Sequence, residues 1–372
     1  MSVSFPHPSW IEVDLGQFKK NIAIIRSFIG NRLLCIPVKA NAYGHGLCAM
    51  GKAAEEAGVD YLAVAHLQEG IELRKANVRL PILVLGAIHE EQILDLINFN
   101  LEFTISSQFK AQLVAEKCQK IRQKCRVHIE VDTGMRRTGV REKSALSLFN
   151  HLKSIPCFEV VGVYSHLATA DAPENAFAEK QISAFQELLK DPIFLEASLI
   201  RHLANSGGVV HYPEAHGDMV RTSLLALGYL PANSPAALQG IAPCFSLKTK
   251  VSYFKVVEKG EGISYGHSYI TPQQTRIVTI PVGYGDGYRR CLSNRGSVLI
   301  RGKRFPIVGT ICMDQFMVDV GVQEVFVGEE VVLIGKQGEA EIPLMEIAQL
   351  CETIPYEVLC LFNERIPRIY VQ

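Results

Sequence analysis

The chain has no net charge and no long hydrophobic run. Its 372 residues include 38 Lys and Arg against 38 Asp and Glu, so the formal charge at pH 7 is zero. Without a basic surplus, nothing favours binding to nucleic acid or to an anionic membrane surface. The longest apolar run, residues 80–88, is far too short to cross a bilayer. We therefore expect a globular protein without nucleic-acid or membrane partners, and its neutrality makes self-association plausible.

Targeting and metal-binding patterns are also missing. The N-terminus carries Glu12, Asp14 and Lys19 and lacks the apolar core of a signal peptide, so we expect a cytoplasmic protein. None of the ten cysteines lies in a C-x-x-C pair or at zinc-like spacing. This pattern is typical of reduced core cysteines, and it predicts no metal site.

What is present indicates a large, well-buried fold. Hydrophobic residues make up 48% and charged residues 20% of the chain, which argues against disorder. The length favours two domains. No G-x-G-x-x-G opens a helix after a predicted strand, so a dinucleotide-binding fold is not expected.

Short apolar runs alternate with helical patterns up to about residue 235. The helical patterns include residues 15–28, with Asp14 as the expected N-cap, and residues 108–122. The predicted strands are 33–38, 61–65, 82–85, 102–105, 126–131, 159–165, 200–204 and 217–220. Eight alternations predict an α/β fold with a (β/α)₈ barrel of the TIM type, and an open doubly wound sheet is the alternative.

Beyond about residue 242, segments with a two-residue hydrophobic period replace this alternation. Turn signals such as Gly-Tyr-Gly-Asp-Gly at 283–287 separate them. We therefore predict a barrel over residues 1–240 and a mostly β domain over residues 241–372.

Unusual polar residues follow the predicted strands. Lys39 follows the first, Asp132, Arg136 and Arg137 the fifth, His166 the sixth, Asn205 and Ser206 the seventh, and Arg221 the eighth. Barrel enzymes place their chemistry in the loops after the strands, so this clustering predicts an active site. A lysine held in a dry pocket there acts as a nucleophile or base, which indicates a Schiff-base enzyme.

Each residue alone has an ordinary explanation. Lys39 and Arg221 are compatible with surface charges, and His166 with a satisfied core histidine. Asn-Ser-Gly-Gly at 205–208 is typical either of a phosphate cradle or of a simple turn. The prediction depends on their common position at one end of one barrel.

Six longer motifs point to a known family. They are V-K-A-N-A-Y-G-H-G at 38–46, V-D-T-G-M at 131–135, A-N-S at 204–206, S-Y-G at 264–266, G-Y-G-D-G at 283–287 and C-M-D-Q at 312–315. From about Trp10 to the C-terminus, the chain resembles the alanine racemases. These are pyridoxal-phosphate enzymes with an N-terminal barrel and a C-terminal β domain.

The resemblance implies a racemase of L- and D-alanine that supplies D-alanine for cell-wall synthesis. It implies that Lys39 carries pyridoxal 5′-phosphate and is one catalytic base. Tyr265 of a partner subunit would be the other base, which implies an obligate homodimer. The implied cofactor-binding residues are Lys39, Tyr43, His166, Asn205, Ser206, Arg221, Ser223, Leu224 and Tyr356. Arg137 and the Met313 backbone would hold the substrate carboxylate, with Glu130, Asp314 and Tyr284 in support.

The chain departs from the family pattern at Glu130. Many alanine racemases have a carbamylated lysine there, whose carboxylate faces the substrate-binding arginine. We expect Glu130 to supply a carboxylate directly and to pair with Arg137 without carbon dioxide; the alternative is an exposed glutamate. An ungapped match favours Arg137 over Arg136 as the substrate ligand, although the pair is open to a shift by one residue.

Three alternatives stay open. A barrel decarboxylase would need an acidic partner for the cofactor ring nitrogen, where this chain has Arg221. A non-catalytic pyridoxal-phosphate carrier would be a single barrel without the β domain. A racemase of another small amino acid, such as serine, is the most credible, because one extra group changes binding by only about 1–3 kcal/mol.

Overall fold

The computed structural model describes residues 7–372 and contains two compact units. The barrel unit comprises Phe18–Ala42 and Leu47–Ala242. The β unit comprises the described residues up to Gln17, together with Tyr43–Gly46 and Pro243–Gln372.

The barrel unit contains the eight parallel strands expected from the sequence. They are β2 (Leu33–Pro37), β3 (Tyr61–Val64), β4 (Ile82–Val84), β5 (Glu102–Ile105), β6 (Cys125–Asp132), β8 (Phe158–Tyr164), β9 (Ile200–His202) and β10 (Met219–Arg221), with the two-residue β7 (Val140–Arg141) beside β6. Their order is β10-β2-β3-β4-β5-β6-β8-β9. Strands β3, β4 and β5 are buried at every residue, as expected for parallel strands covered by helices.

Individual hydrogen bonds bring β9 and β10 together. The Asp218 amide donates to the Arg201 carbonyl at 2.8 Å, and the Arg221 amide donates to the Ala204 carbonyl at 3.0 Å. The predicted barrel is confirmed as a nearly closed parallel sheet.

Helices connect the strands. They are α1 (Leu15–Ile29), α3 (Leu47–Glu56), α4 (Leu67–Lys75), α5 (Ile93–Asn98), α6 (Gln108–Ile121), α7 (Glu142–Lys153), α8 (Phe177–Leu189), α9 (Pro192–Glu196) and α10 (Ser206–His211), with a short segment α2 (Lys39–Tyr43). Asp14 accepts a hydrogen bond from the Gln17 amide at 2.7 Å, which confirms its expected capping role. No helix in residues 7–372 is long and apolar enough to cross a membrane.

The β unit is built on one large sheet. Its strands are β1 (Trp10–Asp14), β11 (Phe245–Lys250), β12 (Tyr253–Val257), β15 (Thr275–Ile280), β16 (Ser297–Ile300), β17 (Lys303–Val308), β18 (Phe316–Gly321), β19 (Glu330–Gln337), β20 (Ala340–Ile342) and β21 (Arg368–Val371). A separate hairpin pairs β13 (Gly262–Ile263) with β14 (Tyr269–Ile270), and two helices follow, α11 (Leu344–Leu350) and α12 (Pro355–Leu361).

Strand β1 lies between β11 and β21 in the order β12-β15-β18-β17-β16-β19-β11-β1-β21. It pairs antiparallel with β11 and parallel with β21. Its alternating burial matches a strand packed on one face. The structure therefore assigns this N-terminal strand to the β unit, although the sequence analysis placed residues 1–240 in the barrel.

Candidate active site

Lys39 stands at the carboxyl end of β2, and the chain after it is left-handed. Ala40, Asn41, Ala42 and Tyr43 have φ angles of 53°, 55°, 52° and 52°. Four consecutive non-glycine residues in this region are rare, because each costs roughly 1–2 kcal/mol. Strain of this kind collects at functional sites, where the surrounding contacts enforce it.

Hydrogen bonds within the barrel unit hold this turn. The Ala40 amide donates to Oε1 of Glu69 at 2.6 Å. Oδ1 of Asn41 accepts from the Leu47 amide at 2.7 Å. The Ala42 amide donates to the Val38 carbonyl at 2.8 Å. Lys39 therefore lies between the end of a strand and a turn that these hydrogen bonds hold in place.

Arg221 ends β10, the strand next to β2, and is almost fully buried. Its Nη1 donates to Nδ1 of His202 at 2.8 Å, and its Nη2 donates to the Ser165 carbonyl at 2.8 Å and the Leu203 carbonyl at 3.2 Å. Its Nε has no hydrogen-bond acceptor in residues 7–372. One donor of a buried guanidinium therefore remains for a ligand.

His166 follows β8, with Nδ1 3.4 Å from Nη2 of Arg221. Burial, followed by the positive charges of Arg221, Arg137 and Lys39 in that order, lowers the pKa of His166 to about 3. The imidazole is therefore neutral at physiological pH.

Ser206 lies at the start of α10 and is buried. Its hydroxyl is 2.9 Å from the Thr222 hydroxyl and accepts from the Leu224 amide at 3.3 Å. A Cβ on the next residue, Gly207, would lie 2.5 Å from Oδ1 of Asp171, so only glycine fits there. The chain thus gathers a hydroxyl and an amide donor around a glycine.

The side chain of Asn205 stabilises this segment, which comprises Ser206 and Gly207, through two hydrogen bonds. Its side-chain oxygen accepts from the Gly208 amide at 2.9 Å, and its amide nitrogen donates to the Leu167 carbonyl at 3.2 Å. Both ends of the side chain are therefore occupied within the barrel unit. Ser223, beside Leu224, is also buried.

The expected ion pair between Glu130 and Arg137 is absent from the described residues. Glu130 is only 6% exposed, and its Oε2 has no hydrogen-bond partner there. Burial raises the pKa of Glu130, while the Thr138 side chain and the charges of Arg221 and Arg137 oppose that rise. The alternative of an exposed glutamate was also wrong, since Glu130 is a buried residue of β6.

The two neighbouring arginines differ in their surroundings. Nη1 of Arg136 is 3.2 Å from Oδ2 of Asp132, and the Arg136 side chain is 69% exposed. The charge of Arg137 instead opposes the burial-driven rise in the pKa of Glu130 and, after burial and Arg221, contributes to the low pKa of His166. Of the two arginines, Arg137 is therefore the one whose charge acts on these two site residues.

Three expected site residues lie on one open cavity of the β unit. The cavity has a volume of about 900 Å³, and its lining includes Tyr265, Met313 and Asp314. The side chain of Tyr265 is 72% exposed. The amide of Met313 has no acceptor in residues 7–372, so it is available to a ligand.

The turn at 283–287 supports the Met313 loop. The Tyr284 amide donates to the Cys312 carbonyl at 3.1 Å, and the Gly285 amide donates to the Met313 carbonyl at 2.8 Å. Asp314 forms an ion pair with Arg365 at 2.6 Å. These contacts hold the Met313 loop within the β unit, and the roles predicted for Tyr284 and Asp314 stay predictions.

Tyr43 and Tyr356 come together within the β unit. Their ring centroids are 5.7 Å apart, with an angle of 52° between the planes. A Cβ on Gly44 would lie 2.3 Å from the Leu359 carbonyl oxygen, so the chain after Tyr43 approaches this segment closely. Two tyrosines that are distant in sequence therefore form one aromatic pair.

A buried row of polar side chains next to Arg221 was not predicted from the sequence. It consists of His202, His128 and Glu102, all at most 3% exposed. Polar residues within apolar strand runs were the available signal, but strand pairing was needed to connect them. No group of three or more His, Cys, Asp or Glu side chains in residues 7–372 is arranged to hold a metal ion.

Comparison with known proteins gives one consistent family. The family models "Alanine racemase, N-terminal domain" and "Alanine racemase, C-terminal domain" match residues 13–231 and 244–370. An alanine racemase of Symbiobacterium thermophilum is 41% identical over 375 residues, covering 100% of this chain and 99% of that protein.

Solved structures agree over the whole length. The alanine racemase of a D-cycloserine-producing Streptomyces lavendulae has a TM-score of 0.94 at 32% identity, covering 99% of this chain and 98% of that one. A histidine racemase from Leuconostoc mesenteroides has a TM-score of 0.91 at 28% identity, covering 99% of each chain.

Proposed function

We propose that this chain, which belongs to the alanine racemase family, is a pyridoxal-phosphate-dependent enzyme that interconverts L-alanine and D-alanine. Within the family, one observation carries the proposal: the buried guanidinium of Arg221 has no acceptor for its Nε among the described residues, and it ends the strand next to the one that presents Lys39. A donor-only group at that position favours racemisation over decarboxylation.

The residues present fit pyridoxal phosphate. Lys39 supplies the amine for covalent attachment, and Nε of Arg221 supplies a donor for the ring nitrogen. The Ser206 hydroxyl and the Leu224 amide, 3.3 Å apart, supply donors for a phosphate. In the proposal, Tyr43 and Tyr356 would also bind the phosphate, and His166 would pack beside the ring, as the family resemblance implies. When bound, the cofactor supplies an electron sink that makes the Cα proton of an attached amino acid acidic.

Arg221 sets the strength of that sink. A guanidinium keeps its proton and cannot protonate a neighbouring nitrogen. With the cofactor bound, Arg221 would donate to the ring nitrogen without protonating it, which would keep the sink weak and limit transamination. We expect Arg221→Glu to increase the fraction of turnovers that end in transamination. Unchanged, clean racemisation in that variant would rule out this role.

Two bases are needed because inversion removes a proton from one face of Cα and returns it to the other. In the proposal, Nζ of Lys39 serves one face and the hydroxyl of Tyr265, from a partner subunit, serves the other. Each transfer is worth roughly 10²–10⁴ in rate. Arg137 and the Met313 amide hold the carboxylate, which fixes Cα between the bases.

The direct test follows the α-proton. The protein is incubated with L-alanine in D₂O, and deuterium incorporation and D-alanine are measured together. Lys39→Ala should abolish both and also remove the yellow colour of the purified protein. Arg136→Lys, which changes the exposed arginine next to Arg137, serves as the control. Retained colour in Lys39→Ala would mean that another residue holds the cofactor.

Subunit mixing tests the shared site. If each site combines Lys39 of one chain with Tyr265 of its partner, a hybrid of Lys39→Ala and Tyr265→Phe chains contains one intact site. Mixing the two inactive variants should then restore up to a quarter of wild-type activity. No recovery, in a mixture shown by mass spectrometry to contain hybrids, would place both residues in one chain.

A larger amino acid is the second candidate substrate, because one similar structure is named a histidine racemase. Parallel assays with alanine, serine and histidine decide between them by kcat/KM. Supply of D-alanine for cell-wall synthesis is tested by complementing a bacterial strain that requires D-alanine for growth.

A further inference from the structure

Four buried side chains form a continuous hydrogen-bonded row that ends at Arg221. Nη1 of Arg221 is 2.8 Å from Nδ1 of His202. Nε2 of His202 is 3.1 Å from Nδ1 of His128, and Nε2 of His128 is 2.8 Å from Oε2 of Glu102. The row crosses from β10 through β9 and β6 to β5.

The chemistry at the two ends fixes the direction of every hydrogen bond. A guanidinium only donates, so Nδ1 of His202 accepts and its Nε2 carries the proton. Nδ1 of His128 must then accept, and its Nε2 must donate. The carboxylate of Glu102 only accepts, so it completes the row without conflict.

The surroundings favour a neutral His202. Burial lowers the pKa of His202 well below its ordinary value, and the charge of Arg221 lowers it further. The ring of Tyr164 stacks on His202, with centroids 4.8 Å apart and planes 18° apart. His202 thus has one ring proton, and the position of that proton matters for the whole row.

At the other end of the row, Glu102 also forms an ion pair with the partly exposed side chain of Arg126. Its Oε1 is 2.5 Å from Nη1 of Arg126, whose Nε is 3.3 Å from the exposed Glu159. Glu102 itself is only 3% exposed. Glu102 therefore contacts one side chain of the row, His128, and its Oε2 is the oxygen that accepts from it.

We propose that Glu102 is a positioning residue for Arg221, acting through His128 and His202. By accepting from Nε2 of His128, it fixes one tautomer in both imidazoles and leaves Nδ1 of His202 as the acceptor that orients the guanidinium. The inference rests on the proposed function, in which Nε of Arg221 faces the ring nitrogen of the cofactor.

The wild-type protein gives the first test. ¹⁵N NMR of the histidine-labelled holoenzyme, with signals assigned through His128→Gln and His202→Gln, reports which ring nitrogen carries the proton. Both residues should show a protonated Nε2 and an unprotonated Nδ1. A protonated Nδ1 on either residue overturns the proposal, and this measurement needs no change at Glu102.

Substitutions at Glu102 give the second test. Glu102→Gln keeps a carbonyl acceptor, so it should keep both tautomers and stay within about threefold of wild-type kcat. Glu102→Leu removes the acceptor. It should mix the tautomers and lower kcat roughly tenfold, as partners that orient ligating histidines do, with KM unchanged because Glu102 forms no hydrogen bond or ion pair with Arg137 in the described residues.

Glu159→Leu is the matched control. It removes the other carboxylate on Arg126 but has no contact with His128, so its NMR signals and kcat should match those of the wild type. If Glu102→Leu keeps wild-type tautomers and turnover, the positioning role is refuted while racemisation stands. If the wild type itself does not racemise alanine, the proposed function fails, and the tautomer measurement still tests the hydrogen-bond row.

Discussion

The left-handed turn after Lys39 predicts an unusual response to glycine. Ala40 has φ 53° and ψ 53° and an exposed side chain, so its replacement removes little packing. An L-residue pays roughly 1–2 kcal/mol in this conformation, whereas glycine adopts it without steric cost. Glycine also loses about 0.5–1 kcal/mol more backbone entropy on folding. Ala40→Gly should therefore stabilise the folded protein by about 0.5–1 kcal/mol.

The matched control is the same substitution in a right-handed helix. Ala115 lies inside α6 and is half-buried. Ala115→Gly should destabilise the protein by about 1 kcal/mol, because only the entropy cost applies there. For a unit of this size the two changes correspond to about 2 °C upward and about 3 °C downward in unfolding temperature.

Thermal unfolding of both variants and the wild type, followed by circular dichroism at one scan rate, tests the reasoning. Opposite signs are required. Equal destabilisation by the two substitutions would mean that position 40 stores no strain, and rigidity of the turn would no longer explain how Lys39 is held. If the turn does hold Lys39, the stabilised Ala40→Gly variant should also turn over more slowly.

Three further outcomes follow from the site. Burial raises the pKa of Glu130 above 4.5, so the folded state binds the extra proton and stability falls as pH rises past that value. Glu130→Gln should therefore raise the urea midpoint at about pH 8 and leave it unchanged at about pH 4. A Cβ on Gly283 would lie 2.2 Å from the Met313 carbonyl oxygen, so Gly283→Ala should cost about 1–3 kcal/mol in urea unfolding and raise KM. Arg137→Lys should raise KM for alanine at least tenfold, because a point charge replaces a two-pronged donor, whereas Arg136→Lys should not.

The barrel was predictable because its signals are local. Each strand is a short apolar run between turn residues, and the polar residues that follow the strands appear in the sequence itself. The strand bounds found for β2 and β5, Leu33–Pro37 and Glu102–Ile105, lie within one residue of those expected. The same local reading identified Asp14 as a helix cap.

Other features depend on information that no single segment carries. Lys-Ala-Asn-Ala-Tyr gives no sign of a left-handed backbone, since alanine ordinarily avoids it. The row from Glu102 to His202 depends on which strands are neighbours and on which residues share the interior. The place of β1 in the β sheet depends on partners more than 200 residues away. Each of these features therefore depends on contacts between segments that are distant in the sequence.

The electrostatics of the barrel site limit which groups move protons in the proposed reaction. Arg221, Arg137 and Lys39 all act on His166, and with burial as the largest cause its pKa falls to about 3. A neutral imidazole that never gains a proton near pH 7 neither supplies nor stores one for catalysis. The same cations attract a phosphate and a carboxylate, the two anions that the proposed cofactor and substrate bring. His166 therefore contributes shape and a hydrogen-bond acceptor, and proton transfer is left to Lys39 and Tyr265.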